Sequence, residues 1–260
     1  MTLRTKVALV TGAASGLGRL SAERLRASGA QVAALDVNAA ALSRSVDGHA
    51  GVHPYVCDVT DEAHVRQIVD RVESTLGPID RVVHAPAIMP GGFLLEQGAE
   101  LARKVMRINY DGAVNVVNAT LPRMLDRGRG EWICLGSVAG FALTPGLGAY
   151  CASKAAVNAY FETLIHETAG RGVVIHLACP PMVDTPLIGQ AMGLRSFQVM
   201  TARKLLASPH KVLDAIDAAV ERGQTISYPM LMAKWLYAMR RVAPSLLWRV
   251  IESSGAAASP

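Results

Sequence analysis

Short runs of β-branched and other apolar residues alternate along this chain with longer segments whose apolar positions recur every three or four residues. A run apolar at successive positions suits a strand buried on both faces, whereas the three-to-four spacing lays one apolar stripe along a helix. Strands are predicted at residues 6–11, 31–36, 52–57, 81–84, 132–137, 173–178 and, more weakly patterned, 225–228. Helices are predicted between them at 17–28, 61–76, 100–127, 149–170 and 210–222. The alternation implies an α/β fold: one doubly wound domain over residues 1–230, with a seven-stranded parallel sheet and right-handed crossover helices on both faces. The C-terminal ends of its strands then frame the ligand crevice. No repeat or low-complexity linker interrupts the series. Residues 182–208, rich in Met and Gly, read as a flap over a site, and residues 231–260 as a hydrophobic, basic helical extension.

Composition narrows the partners. With 51% apolar residues the chain can fill one substantial core, which sets aside disorder as the dominant state. A net charge of +5 comes without a dense cationic stripe interleaved with aromatics, so a nucleic-acid partner is not expected. Cys57, Cys134, Cys151 and Cys179 form neither a CxxC pair nor a Cys/His cluster, which points to no metal, no disulfide framework and a reducing cytoplasm. Arg4 and Lys6 precede an apolar run, but that run passes straight into a glycine loop and reads as a first strand, not a signal peptide. No apolar stretch reaches the length of a spanning helix.

The first strand leads into Thr11-Gly12-Ala13-Ala14-Ser15-Gly16-Leu17-Gly18 and then a helix. Glycines there let the backbone turn sharply and approach a pyrophosphate, whose charge meets the free N–H groups of the helix N-terminus. The Gly-x-x-x-Gly-x-Gly spacing departs from the general dinucleotide fingerprint and resembles that of the short-chain dehydrogenase/reductase superfamily, whose Rossmann-like fold agrees with the alternation of strands and helices above. Asp36 closes the second strand 24 residues after Gly12, where a carboxylate can accept from adenine-ribose hydroxyls; the plainer role is to cap the following helix. A carboxylate facing the ribose repels a 2′-phosphate, and Ala14, Ser15 and Val37 carry no charge to compensate, so NAD is favoured over NADP. By the same resemblance Asp58 and Val59 meet the adenine, although a turn-forming Asp is the plain alternative.

Tyr150 and Lys154 lie four apart, on one face of the predicted helix. A nearby ammonium favours phenolate and is expected to lower the value of a phenol that ordinarily titrates near 10. A YxxxK pair alone is common by chance. Here Ser137, at the end of the fifth predicted strand, precedes Tyr150 by 13 residues, and Asn109 lies within the preceding long helix. Asn109, Ser137, Tyr150 and Lys154 thus resemble the family's catalytic tetrad in order and spacing. The resemblance implies that Tyr150 exchanges a proton with the substrate oxygen as hydride moves to or from the nicotinamide. It further implies that Ser137 holds that oxygen, that Lys154 binds the nicotinamide ribose and biases Tyr150, and that Asn109 holds a water leading to solvent. Cofactor contacts are likewise implied for Ala85, for Pro180, and for Val183 and Thr185, which would hold the carboxamide.

Two departures stand out. Pro181 replaces a glycine of the family's segment after the sixth strand, and His84-Ala85-Pro86-Ala87 stands where relatives carry Asn-Asn-Ala-Gly. His84 is read as a hydrogen-bonded structural histidine in preference to one titrating beside the cofactor.

Substrate-pocket candidates are Ile88, Met89, Phe93, Phe141 and Leu143, with Leu187, Ile188, Met192 and Leu194 from the flap. Arg195 and Arg203 are read as solvated. These predict a hydrophobic alcohol or ketone as the small-molecule partner. Segment 231–251 combines four cations with Trp235, Tyr237 and Trp248 and no acid. One reading is peripheral membrane contact; the other is a helix pair that lids its own pocket or packs on a neighbouring subunit. The resemblance further implies a homodimer or homotetramer, since family members assemble through the long helices that correspond to 100–127 and 149–170. The alternatives kept beside NAD-dependent oxidoreduction are a non-catalytic NAD(H)-binding sensor and an NADPH-dependent ketone reductase.

Overall fold

The computed structural model describes residues 5–252 of the chain. Seven parallel strands run in the order β3-β2-β1-β4-β5-β6-β7. They are β1 Val7–Thr11, β2 Gln31–Asp36, β3 Val52–Val56, β4 Arg81–His84, β5 Gly130–Leu135, β6 Val173–Ala178 and β7 Ile226–Ser227. The order reverses at β1, which pairs with β2 on one side and β4 on the other, and this switch point opens the crevice between the loops that follow those strands.

All five residues of β1 and all six of β5 are buried, because helices cover both faces of the sheet. One core layer lies beneath α3 (Glu62–Leu76), α5 (Gly112–Asp126) and α6 (Gly148–Glu167), and includes Leu9, Val69, Val116, Trp132 and Phe161. The other lies beneath α1 (Gly16–Ala27) and α8 (Pro209–Glu221), and includes Val10, Leu25, Ile133 and Ile216. Trp132 is fully buried and keeps its indole N–H satisfied by donating to Thr120 Oγ1 at 3.0 Å.

Three local outcomes differ from the sequence reading. The helix predicted at 100–127 is α4 (Leu94–Met106), a π-type turn (Arg107–Asp111) and α5 in succession, with Gly98 at φ 69° kinking α4 near the predicted start. Helix α2 (Ala39–Val46) was not expected, because Leu42 is the sole residue it buries and eight residues show little periodicity; Asn38 caps it by accepting from Ala41 N–H. Strand β5 ends at Leu135, not Ser137, since the Ser137 hydroxyl accepts from Ala139 N–H and starts a 3₁₀ turn, Val138–Gly140. The flap folds as a 3₁₀ turn (Pro186–Ala191) and α7 (Arg195–Ala202), closed by a parallel bridge between Val183 and Ala207. Two further helices, α9 (Leu231–Val242) and α10 (Pro244–Ile251), follow β7. Among the described residues no helix is long and apolar enough to cross a membrane.

Candidate active site

A cavity of about 810 Å³ runs across the C-terminal ends of the strands and joins the cofactor and catalytic residues singled out from the sequence, Asn109 excepted. At one end is the glycine loop. Gly12 holds φ 69°, and a Cβ there would stand 2.9 Å from Pro86 N, so the end of β1 and the loop after β4 touch backbone to backbone. A Cβ on Gly18 would fall 2.2 Å from the Gly12 carbonyl oxygen, which fixes how closely α1 returns on the loop. Ser15 caps α1 without a side-chain cap bond, and the first helical N–H groups have no intrahelical acceptor. This donor set suits an anion, and the clearance left by the missing side chains lets a pyrophosphate approach. The residues therefore fit a dinucleotide.

Asp36 lines the cavity, and its two oxygens accept from Ala14 N–H at 3.0 Å and Asn38 N–H at 2.9 Å. The carboxylate thus braces the glycine loop, while the helix cap it was weighed against belongs to Asn38. Each oxygen keeps lone-pair capacity for a ligand hydroxyl. Asp58 forms the plain turn, accepting from Thr60 N–H at 2.9 Å, and still lines the cavity beside Val59. Ala85 and Pro180 are also in the wall. Val183 and Thr185 join them, and the Thr185 methyl lies 3.6 Å from where a Gly16 Cβ would stand, so the segment after β6 packs on the glycine loop.

At the other end are Tyr150 and Lys154, one turn apart on α6, with Ser137 opposite. Asn158 continues the same helical stripe and was not singled out from the sequence, although the spacing 150, 154, 158 carries it. Its amide donates to the Ser137 carbonyl at 2.9 Å and accepts from Ser137 N–H at 3.4 Å, so α6 fixes the backbone of Ser137. Side chains at Gly136 or Gly140 would collide with that amide. Asn109 sits in the π-type turn and does not cap its own helix. It donates to Ile88 O and Ser153 Oγ and accepts from Ile88 N–H, tying the loop after β4 to α6.

The electrostatics correct one expectation. The Tyr150 phenol is not lowered: burial pushes it up to about 12, against an opposing hydrogen bond from Ser137. Lys154 Nζ lies 6.0 Å from the Tyr150 ring centroid and donates to Leu135 O at 2.8 Å, and burial lowers its own value. His84 behaves as the structural histidine expected. Its Nδ1 is 2.9 Å from Thr11 Oγ1, its ring packs on Trp132, and burial together with the Lys154 charge pushes it down to about 3, so it is neutral at physiological pH.

Of the predicted pocket residues, Ile88, Met89, Leu187 and Ile188 line the cavity. Phe93, Leu143, Met192, Leu194 and Phe141 do not. Phe93 precedes α4 as its cap, while Leu143, Met192 and Leu194 pack behind the wall. Phe141 turns away to join Tyr228 and Tyr237 in an aromatic trio. Arg195 and Arg203 are exposed, as read. The wall is completed by Leu205 and Leu206 from the flap, by Met230, and by Met232, Leu236 and Ile251 from the C-terminal helices. The C-terminal helices therefore lid their own pocket. Glu100, Lys104 and Arg107 also line the cavity, on the α4 side.

Comparison with known proteins agrees with this geometry. A sequence profile described as short chain dehydrogenase matches residues 6–192. The chain is 32% identical over 255 residues to "Probable oxidoreductase EphD" of Mycobacterium tuberculosis, covering 92% of this chain and 43% of that one. It thus spans less than half the length of that relative. Among solved structures it resembles a short-chain dehydrogenase/reductase from Burkholderia phymatum in complex with NAD (27% identity, TM-score 0.80, 93% of each chain). It equally resembles a short-chain dehydrogenase from Burkholderia cenocepacia in complex with NADP (26% identity, TM-score 0.80, 96% of this chain and 99% of that one).

Proposed function

This chain belongs to the short-chain dehydrogenase family and is an oxidoreductase of that family, and we propose that it interconverts a secondary alcohol and a ketone on a hydrophobic substrate with NAD. The observation that carries this reading is one cavity linking the glycine loop, the Tyr150–Lys154 pair and an apolar wall. The nicotinamide cofactor, when bound, supplies the hydride donor or acceptor. Gly12, Ser15, Gly16, Leu17 and Gly18 hold its pyrophosphate, Asp36 its adenine ribose, and Asp58, Val59 and Ala85 its adenine side. Pro180, Val183 and Thr185 hold the nicotinamide end. Tyr150 gives a proton to the carbonyl oxygen or takes one from the alcohol, and Ser137 holds that oxygen within hydrogen-bond reach. Lys154 binds the ribose and stabilises phenolate as it forms, and Asn109 keeps the loop at Ile88 in place beside them. A homodimer or homotetramer through α5 and α6, working in the cytoplasm, belongs to the same reading.

Ile88, Met89, Ile188, Leu205, Leu206 and Leu236 support a hydrophobic substrate, the charged residues of the lining, Glu100, Lys104 and Arg107, coming from the α4 side. Absorbance at the nicotinamide band, followed with a panel of apolar alcohols and ketones of increasing size, tests the reading. Turnover rising with apolar bulk is expected; NAD binding without turnover of any member would leave a sensor instead.

Asp36 is the position that decides between cofactors. Asp36→Ala should narrow the preference for NAD, since a hydrogen-bond acceptor is lost for one cofactor and a repulsion relieved for the other. A hydrogen bond to a charged group is worth roughly 1.5–3 kcal/mol, so a shift of about tenfold or more in relative affinity is expected. Tighter binding of NADP than NAD by the unaltered protein would overturn the assignment.

A further inference from the structure

Helix α9 has two unlike faces. Ala233 is fully buried, Leu236 lines the cavity, and Tyr237 stacks on Tyr228 with ring centroids 4.4 Å apart. On the opposite side Leu231, Trp235, Ala238 and Val242 recur at helical spacing, all exposed, with Leu231 and Val242 each 84% accessible. Lys234 and Arg241 flank that stripe and are exposed as well. In α10, Leu247 anchors the helix in the interior while Leu246 and Arg249 face out. An apolar strip with an interfacial Trp and flanking cations is not what a water-facing helix ordinarily presents.

We propose that the outer face of the α9–α10 hairpin docks on an anionic lipid bilayer. Charge selects this occupant. Residues 231–251 contain Lys234, Arg240, Arg241 and Arg249 and no acid, Glu252 being the first to follow, and among the described residues none of the four is within ion-pair distance of a carboxylate. A second copy of the same face would bring like charges together, whereas anionic headgroups complement them and the bilayer boundary accepts Leu231, Trp235 and Val242. Arg241 is exposed and holds its guanidinium 5.2 Å from the Tyr237 ring centroid, at the border between the two faces of α9. Met232 is 61% exposed and also lines the cavity, so the rim of the substrate pocket lies next to the docking face. Taking an apolar substrate from the bilayer at that rim rests on the hydrophobic-substrate reading above; the docking itself does not.

The test is co-sedimentation of the full chain with vesicles of phosphatidylglycerol and phosphatidylcholine, and with phosphatidylcholine alone, at low and high salt. Binding to the anionic vesicles that weakens with salt is expected, because screening acts on exposed charges. The pair Lys234→Glu and Arg249→Glu should weaken partitioning by at least about tenfold and leave turnover of a small soluble alcohol unchanged, since neither residue lines the cavity. No binding at low salt, equal binding to neutral vesicles, or unimpaired binding by the double variant would each overturn docking. So would a loss of oligomeric state in that variant by sedimentation velocity, which would assign the face to a second copy. Vesicle binding by a protein inactive on every alcohol and ketone would leave docking intact and sink the proposed activity.

Discussion

Tyr150→Phe is expected to cut turnover by about 10²–10⁴-fold, the usual contribution of a positioned acid/base, while dinucleotide affinity stays nearly unchanged. Only a hydroxyl is removed, and the ring that fills the wall between Ser137 and Lys154 remains. Isothermal titration with the dinucleotide and a stopped-flow rate on the same sample separate the two effects. Wild-type turnover by this variant would remove Tyr150 from the chemistry. The pH profile gives an independent check on the same hydroxyl. Because burial pushes the phenol up to about 12, it is protonated at neutral pH and ready to donate to a carbonyl. Reduction should therefore be flat through neutrality. Oxidation needs the deprotonated form and should climb about tenfold per pH unit until Lys154, whose value burial lowers, loses its charge. An oxidation rate that is flat from roughly pH 6 to 9 would contradict a phenolate base.

Lys154→Met should show a different pattern, weakening dinucleotide binding by roughly 10–100-fold through the lost charged hydrogen bonds and lowering turnover as well. Stability should move the opposite way. Lys154 is 4% exposed, and Leu135 O is its hydrogen-bond acceptor, so its ammonium gives up most of its hydration on folding. An apolar chain of similar length relieves that cost, and the melting temperature is expected to hold or rise. A lower melting temperature with unaltered dinucleotide affinity would make Lys154 a packing residue and withdraw both of its assigned roles.

The strands, their alternation with helices and the positions of Tyr150 and Lys154 were legible because burial on both faces writes continuous apolar runs, and because an i,i+4 pair shares a helix face wherever the helix lies. The glycine loop was legible for a similar local reason: Gly12 needs its positive φ whatever the rest of the fold does. Contacts made at long range were not. Phe141 and Leu236 look alike as apolar residues in sequence, yet one turns toward Tyr237 and the other into the cavity, a choice made by where α9 packs. The direction of the Tyr150 shift escaped for the same reason. Helical spacing brings an ammonium near, but the degree of burial, which wins here, depends on Ala139, Leu147 and Ile188, which pack with it in one cluster.

The cavity is also divided along the chain. The tetrad, the glycine loop and Thr185 all come from the first 185 residues, whereas the far wall draws on Leu187, Ile188, Leu205, Leu206, Met230, Met232, Leu236 and Ile251. The chemistry is therefore written in the first 185 residues, and most of the apolar wall, Ile88 and Met89 apart, in the later stretch. A graft exchanging residues 186–252 with those of another family member could alter substrate range while leaving hydride and proton handling in place. The same division lets selection or a designer vary the cavity-lining positions of the late segment, provided its core residues, among them Phe197, Val212, Ile216, Ala233 and Leu247, keep their seats in the interior.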